Sequence, residues 1–96
     1  MFARVTTVAS PSDRAEDTVR HIQDEILPRI EQQTGSQGGL WLLDRQTGKV
    51  LAITLWKDED AMRASQGQVT QVTGQSGQQL GIATQTVEGF EVVAQV

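Results

Sequence analysis

The stretch Val50-Leu51-Ala52-Ile53-Thr54-Leu55-Trp56 is apolar on both sides of a strand. In an extended chain Leu51, Ile53 and Leu55 point one way, while Val50, Ala52 and Trp56 point the other. An antiparallel sheet with one wet face alternates apolar with polar residues, and this stretch does not. The preceding strand repeats the feature, because Leu40 and Leu42 oppose Trp41 and Leu43. If helices cover one face of the sheet, a second sheet is needed to cover the other. The strand pattern therefore predicts a homodimer, with a second copy of the chain as partner. Length points the same way. The chain has 96 residues, and chains this short bury only about 60–65% of their unfolded surface, so a partner's added burial matters.

The remaining elements follow in order. Residues 2–9, FARVTTVA, are β-branched and alternating, which predicts a strand. Ser10 as N-cap, Pro11 at the first helical position and Asp13 three after the cap signal a helix start, with Ser12 an alternative cap. Ala15, Val19, Ile22, Ile26 and Ile30, with Leu27 beside them, form one apolar helix face. Pro28 lacks the N–H that would reach the Asp24 carbonyl, which predicts a kink. Gly35 ends the helix. LWLLD and KVLAITLW form two strands around the turn RQTG, where Gly48 supplies a positive φ. Asp58 caps a second helix, with Glu59 and Asp60 in its first turn.

Residues 65–85, rich in Gln, Gly, Ser and Thr, read as a loop or as the rest of that helix. The helical reading is preferred, because Met62, Ser65, Val69, Val72, Ser76 and Leu80 keep helical spacing and Gly81 closes it. Gly67, Gly74 and Gly77 each cost about 1 kcal/mol relative to Ala, so residues 66–80 are expected to be mobile. TVEGFEVVAQV is a final strand. The order β-α-β-β-α-β predicts an α+β, ferredoxin-like domain over residues 1–96, with one antiparallel sheet and both helices on one face.

Composition excludes several functions. The net charge is −4 with no basic stripe, which argues against nucleic acid as a partner. There is no Cys and one His, so no transition-metal site is expected. The absence of Cys fits the cytoplasm. MFARVTTVAS does not read as a signal peptide, and no apolar run approaches the ~20 residues of a membrane span. Gly35, Gly38 and Gly39 follow a helix and precede a strand, the reverse of a phosphate cradle.

In its element order, its opening MFARVTT, its joint ITLWKDEDAMRAS and its closing VEGFEVVAQV, the chain resembles the antibiotic-biosynthesis-monooxygenase-like family. The resemblance covers nearly the whole chain. It implies two ferredoxin-like protomers closed into a dimeric α/β barrel, each with a cavity between helices and sheet. It also implies cofactor-independent oxygenation of polycyclic compounds or haem degradation, though members without known activity share the fold. The haem-degrading branch uses an Asn on the first strand and a Trp and His on the second helix. Thr6, a position near Gln66 and a position near Gln75 or Ser76 stand there instead. The aromatic-oxidising branch lines its pocket with Tyr, Trp, Asn, Arg and His, and this chain has no Tyr and no Asn. No haem, metal or other cofactor is expected.

The residues expected at an apolar pocket are Thr6 and Trp56 at its floor and Ile22 and Met62 at its wall, with Trp41 and Arg4 as further candidates. Trp56 reads as a core plug that also forms a pocket wall, and Trp41 as core or pocket. Arg4, inside a strand, either pairs with an acid such as Glu91 or binds an acidic ligand group; the ion pair is preferred. His21 lies on the polar helix side among Asp17, Asp24 and Glu25, and is a weak general-base candidate. Asp58, Glu59 and Asp60 read as a cap rather than as metal ligands. Two functions remain open: a monooxygenase-like homodimer acting on an apolar or aromatic compound, and a non-catalytic ligand-binding or stress-related module with the same barrel.

Overall fold

The computed structural model describes residues 1–65 and 83–96. Strand β1 is Phe2–Ala9, β2 is Ser36–Leu43, β3 is Lys49–Trp56 and β4 is Ala83–Glu91. They form one sheet in the order β2-β3-β1-β4, with every pairing antiparallel. Between β1 and β2 come a 3-10 turn at Ser12–Arg14, helix α1 at Ala15–His21, a π-helical segment at Ile22–Ile26 and helix α2 at Leu27–Glu31. Residues 59–65 form α3. No described helix is long and apolar enough to cross a membrane.

The pairing of β1 with β3 runs unbroken from Phe2↔Trp56 to Ala9↔Lys49. It aligns the even-numbered residues of both strands on one face, since side chains alternate along a strand. On that face Val8 and Val50 pack with Ile22 of the π-helical segment, backed by Ile26, Leu27, Trp41 and Leu43. Arg4 reaches Met62 and Ser65 of α3 from the same face. Both helical regions therefore cover one side of the sheet, and the fold is α+β and ferredoxin-like, as the element order predicts. The second half of the expected second helix, residues 66–80, falls outside the described residues.

Several local expectations are corrected. Ser10 does not cap a helix. Pro11 is extended (φ −62°, ψ 126°), and the helical path begins at Ser12. Ser10 instead donates its backbone N–H (2.9 Å) and its hydroxyl (2.7 Å) to the Gly48 carbonyl, tying the end of β1 to the β2–β3 hairpin. The Pro28 kink takes the form of a π turn. The Leu27 N–H reaches back five residues to the Ile22 carbonyl, and this wider winding leads into Pro28 without a break. Strand β4 begins at Ala83 and ends at Glu91, earlier at both ends than the expected TVEGFEVVAQV.

Other signals hold. Asp58 accepts the Ala61 N–H at 2.8 Å as a cap, and Glu59 pairs with Arg63 one turn on. In the hairpin, Asp44 Oδ1 accepts from Gln46 N (3.0 Å) and Thr47 N (3.4 Å), and Gly48 has φ +80°. A Cβ on Gly48 would also collide with the Ser10 carbonyl. Gly48→Ala is therefore expected to cost about 2–3 kcal/mol through strain and collision together. Urea denaturation checks this, with a lower midpoint and an unchanged slope as the expected result.

Candidate functional site

The helix face of the sheet carries two neighbourhoods. The first is a cavity of 270 Å³ under the helical segment that follows β1. Val19, Ile22 and Leu27 roof it, while Trp41, Leu43 and Val50 form its floor. The roof is π-wound at Ile22–Ile26, where the chain accommodates Pro28. Gln23, the one polar side chain on the lining, projects from that same turn. β2 is an edge strand, and Leu40 and Leu42 of its other face also line the cavity. The space therefore wraps around the open edge of the sheet. It contains no charged group and suits an uncharged apolar surface.

The second neighbourhood lies under α3. Trp56, 0% exposed, ends β3, and its indole N–H donates to Thr54 Oγ1 at 3.0 Å. Arg4, 3% exposed, holds its guanidinium 5.5 Å from the Trp56 ring centroid, a cation–π arrangement. Its Nη1 donates to Ser65 Oγ at 3.1 Å and its Nη2 to the Met62 carbonyl. Ser65 Oγ donates to that same carbonyl at 2.8 Å. Burial pushes the Arg4 guanidinium below its usual pKa, because a charge is costly to remove from water. Thr6, two residues further along β1 on the same face, is buried as well.

The expected Arg4–Glu91 ion pair does not form. Register places Gly89 opposite Arg4 and Glu91 opposite Phe2. All twelve Asp and Glu residues lie among the described residues, and none is within ion-pair distance of Arg4.

The residues read from the sequence thus fall in two places. Ile22 and Trp41 border the cavity at β2. Thr6, Trp56, Met62 and Arg4 lie on the α3 side. His21, half-buried at the end of α1, does not line the cavity. Val19, Gln23, Leu27, Leu43 and Val50 were not singled out as pocket residues. Val19 and Leu27 were legible as helix stripe, but the π turn that sets them over β2 was not. Among the described residues no cluster of His, Asp or Glu is arranged to hold a metal ion.

This chain has the fold of the antibiotic-biosynthesis-monooxygenase structures, in agreement with the resemblance read from the sequence. A crystal structure from Deinococcus radiodurans, assigned as an antibiotic biosynthesis monooxygenase, superposes with a TM-score of 0.76 at 20% identity, covering 100% of this chain and 96% of that one. The haem-degrader MhuD of Mycobacterium tuberculosis, with two haems bound in its active site, gives 0.72 at 15% identity, covering 100% and 99%. The Streptomyces coelicolor monooxygenase ActVA-Orf6, in complex with nanaomycin D, gives 0.67 at 13% identity, covering 99% and 89%. At these identities the likeness is one of fold. In sequence the chain is 32% identical over 94 residues to the uncharacterized protein Rv2557 of M. tuberculosis, covering 98% of this chain and 42% of that protein. The uncharacterized protein Rv2558 of the same organism is 32% identical over 65 residues, 68% of this chain and 28% of that protein. The chain thus spans less than half the length of the curated relatives it matches. No family model matches it.

Thr54→Val tests the Trp56 anchorage. It leaves the buried indole N–H without an acceptor, and a loss of about 1–3 kcal/mol is expected. Chemical denaturation followed by tryptophan emission measures it.

Proposed function

We propose that residues 1–96 form one ferredoxin-like domain of a homodimer that binds an apolar or aromatic small molecule. The carrying observation is the cavity at β2, whose side chains are apolar apart from Gln23. Its 270 Å³ lies just below the roughly 300–1,000 Å³ of common ligand pockets, which favours a small, flat compound. Trp41 supplies a stacking face and the Gln23 amide a single orienting hydrogen-bond group. Support for the dimer comes from the sheet face turned away from the helices. Val5, Leu51, Ile53 and Leu55 lie across its centre, and Leu40, Leu42 and Phe90 stand about half exposed towards its edges. Contiguous apolar surface of this kind marks an interaction face. A second copy would meet it sheet against sheet, as the barrel resemblance implies. The cysteine-free composition supports a cytoplasmic location.

The haem of MhuD does not fit this chain. Haem iron needs an axial ligand such as His, Cys or Tyr. The chain has no Cys and no Tyr, and its one His stands off the cavity. Cofactor-independent oxygenation is the second reading, favoured by the fold shared with ActVA-Orf6 and its bound nanaomycin D. Against it, no general acid or base lines the cavity. Incubation with an anthrone-type compound in metal-free buffer is expected to give binding without oxygen uptake. Sustained uptake above the buffer rate would establish the oxygenase instead.

Light scattering at micromolar concentration is expected to give twice the 10.5 kDa chain mass. Ile53→Asp should dissociate or unfold the dimer, because it strands an unpaired charge in a dry interface. A mass of one chain for the unaltered protein would rule the dimer out. A flat neutral aromatic compound should quench tryptophan emission, and Trp41→Phe should remove most of that response while Trp56→Phe leaves it. Unchanged emission across a broad set of aromatic compounds would count against the cavity as a binding site.

A further inference from the structure

We infer that Arg4 is the anion-binding group of a second subsite, under α3, for a small organic acid: an apolar body bearing a carboxylate. This subsite is distinct from the cavity at β2 and does not depend on what that cavity binds. The argument starts from charge. A guanidinium removed from water is stable only when an anion or a dense set of acceptors compensates it. Arg4 is 97% buried, yet no carboxylate of the chain reaches it. Among the described residues its hydrogen-bond acceptors, Ser65 Oγ and the Met62 carbonyl, are neutral, and its remaining compensation is the Trp56 π face. Those contacts aim the group without cancelling its charge. Guanidinium matches carboxylate in planar geometry, so the missing counter-charge is best met by that group.

Among the described residues, the β4 edge of the sheet leaves a way in. Register sets Val87 beside Thr6 and Gly89 beside Arg4 on the helix face of β4, the edge strand. Gly89 presents no side chain, and a Cβ there would lie 2.9 Å from the Met62 methyl. Val87 is 48% exposed although it lies on the covered face. An acid can therefore enter over Val87 and Gly89, displace the flexible Met62 side chain and set its carboxylate on Arg4, with the Thr6 hydroxyl alongside. The Trp56 ring and Met62 supply the apolar walls. This places the two subsites at opposite edges of one sheet face, about 14 Å apart at three strand spacings.

The test uses Trp41→Phe protein, in which Trp56 is the sole tryptophan. Its emission is titrated with 1-naphthoate, with the neutral isostere 1-naphthamide and with inorganic phosphate. Naphthoate is expected to shift Trp56 emission and to bind at least tenfold tighter than naphthamide, with phosphate weaker than naphthoate. In the same background Arg4→Gln should erase the preference for the acid, and Arg4→Lys should keep part of it, which covers the case that Arg4→Gln does not fold. Equal binding of acid and amide, a preference that survives Arg4→Gln, or a silent Trp56 at millimolar naphthoate would overturn the subsite and leave Arg4 a strut for α3. Phosphate binding as tightly as naphthoate would overturn the apolar body. Quenching of Trp41 in the unaltered protein by neutral compounds is unaffected by any of these outcomes, so the two sites fail separately.

Discussion

The unbroken register of β1 against β3 decides the chemistry of both faces. Eight consecutive pairs, from Phe2↔Trp56 to Ala9↔Lys49, fix which side chains face the helices and which face outward. Because the side-chain period of a strand is two, a slip of one residue would exchange the sets. Slipping β1 in this way would turn Arg4 away from α3 and bring Ala3 or Val5 to that face instead. The apolar alternation alone does not forbid that slip, since both faces are apolar. The ends do. At one end Arg4 of β1 sets its guanidinium over the Trp56 ring of β3, and at the other Ser10 ties β1 to the Gly48 carbonyl. Two polar contacts at opposite ends of the pair thus specify a register that hydrophobicity leaves degenerate.

The same register explains why a charge stands inside β1. Arg4 is flanked in the sheet by Thr54 and Gly89, a small polar residue and no side chain at all. Neither crowds the guanidinium, and neither neutralises it. The sheet leaves room for the long side chain to run up to α3, where the Met62 carbonyl and Ser65 hydroxyl receive it. Taking a charge out of water is costly, and an apolar side chain would span from sheet to helix without that cost. A strut between sheet and helix could therefore have been apolar, and a charge at this point asks for a role that needs charge.

The architecture was legible where sequence signals are local. The bounds of β1, the hairpin at Gly48, the Asp58 cap and the apolar character of both sheet faces follow from period, turn chemistry and capping. The placement of the site was not, for three physical reasons. A π turn has no pattern of its own beyond the proline that provokes it, so the roof over Trp41 could not be placed from the apolar stripe. Ser10 and Pro11 resemble a helix start, but a hydroxyl next to a strand end has a competing acceptor in the neighbouring hairpin, and that acceptor is distant in sequence. The partner of Arg4 was sought among acids by charge alone, while register, not readable from one strand, sets Glu91 two residues away from where a pair would need it.

The helix-covered face is divided by size as much as by polarity. One row across the sheet reads Trp41, Ala52, Thr6 and Val87 from edge to edge. Ala52 and Thr6, the two central members, are small, while the large ring and the open valine stand at the rims. Small residues at the centre let the helical cover settle onto the sheet there. Among the described residues, the rims are less completely covered: a cavity lies under the π turn at β2, and Val87 of β4 stands half exposed. Tight packing is the default of protein interiors, so the cavity at the β2 rim, beside the large Trp41 ring, sets that edge apart from the centre. The β2 rim is lined by apolar groups and the β4 rim leads to a cation. A single sheet face therefore offers an uncharged surface at one edge and a charged one at the other.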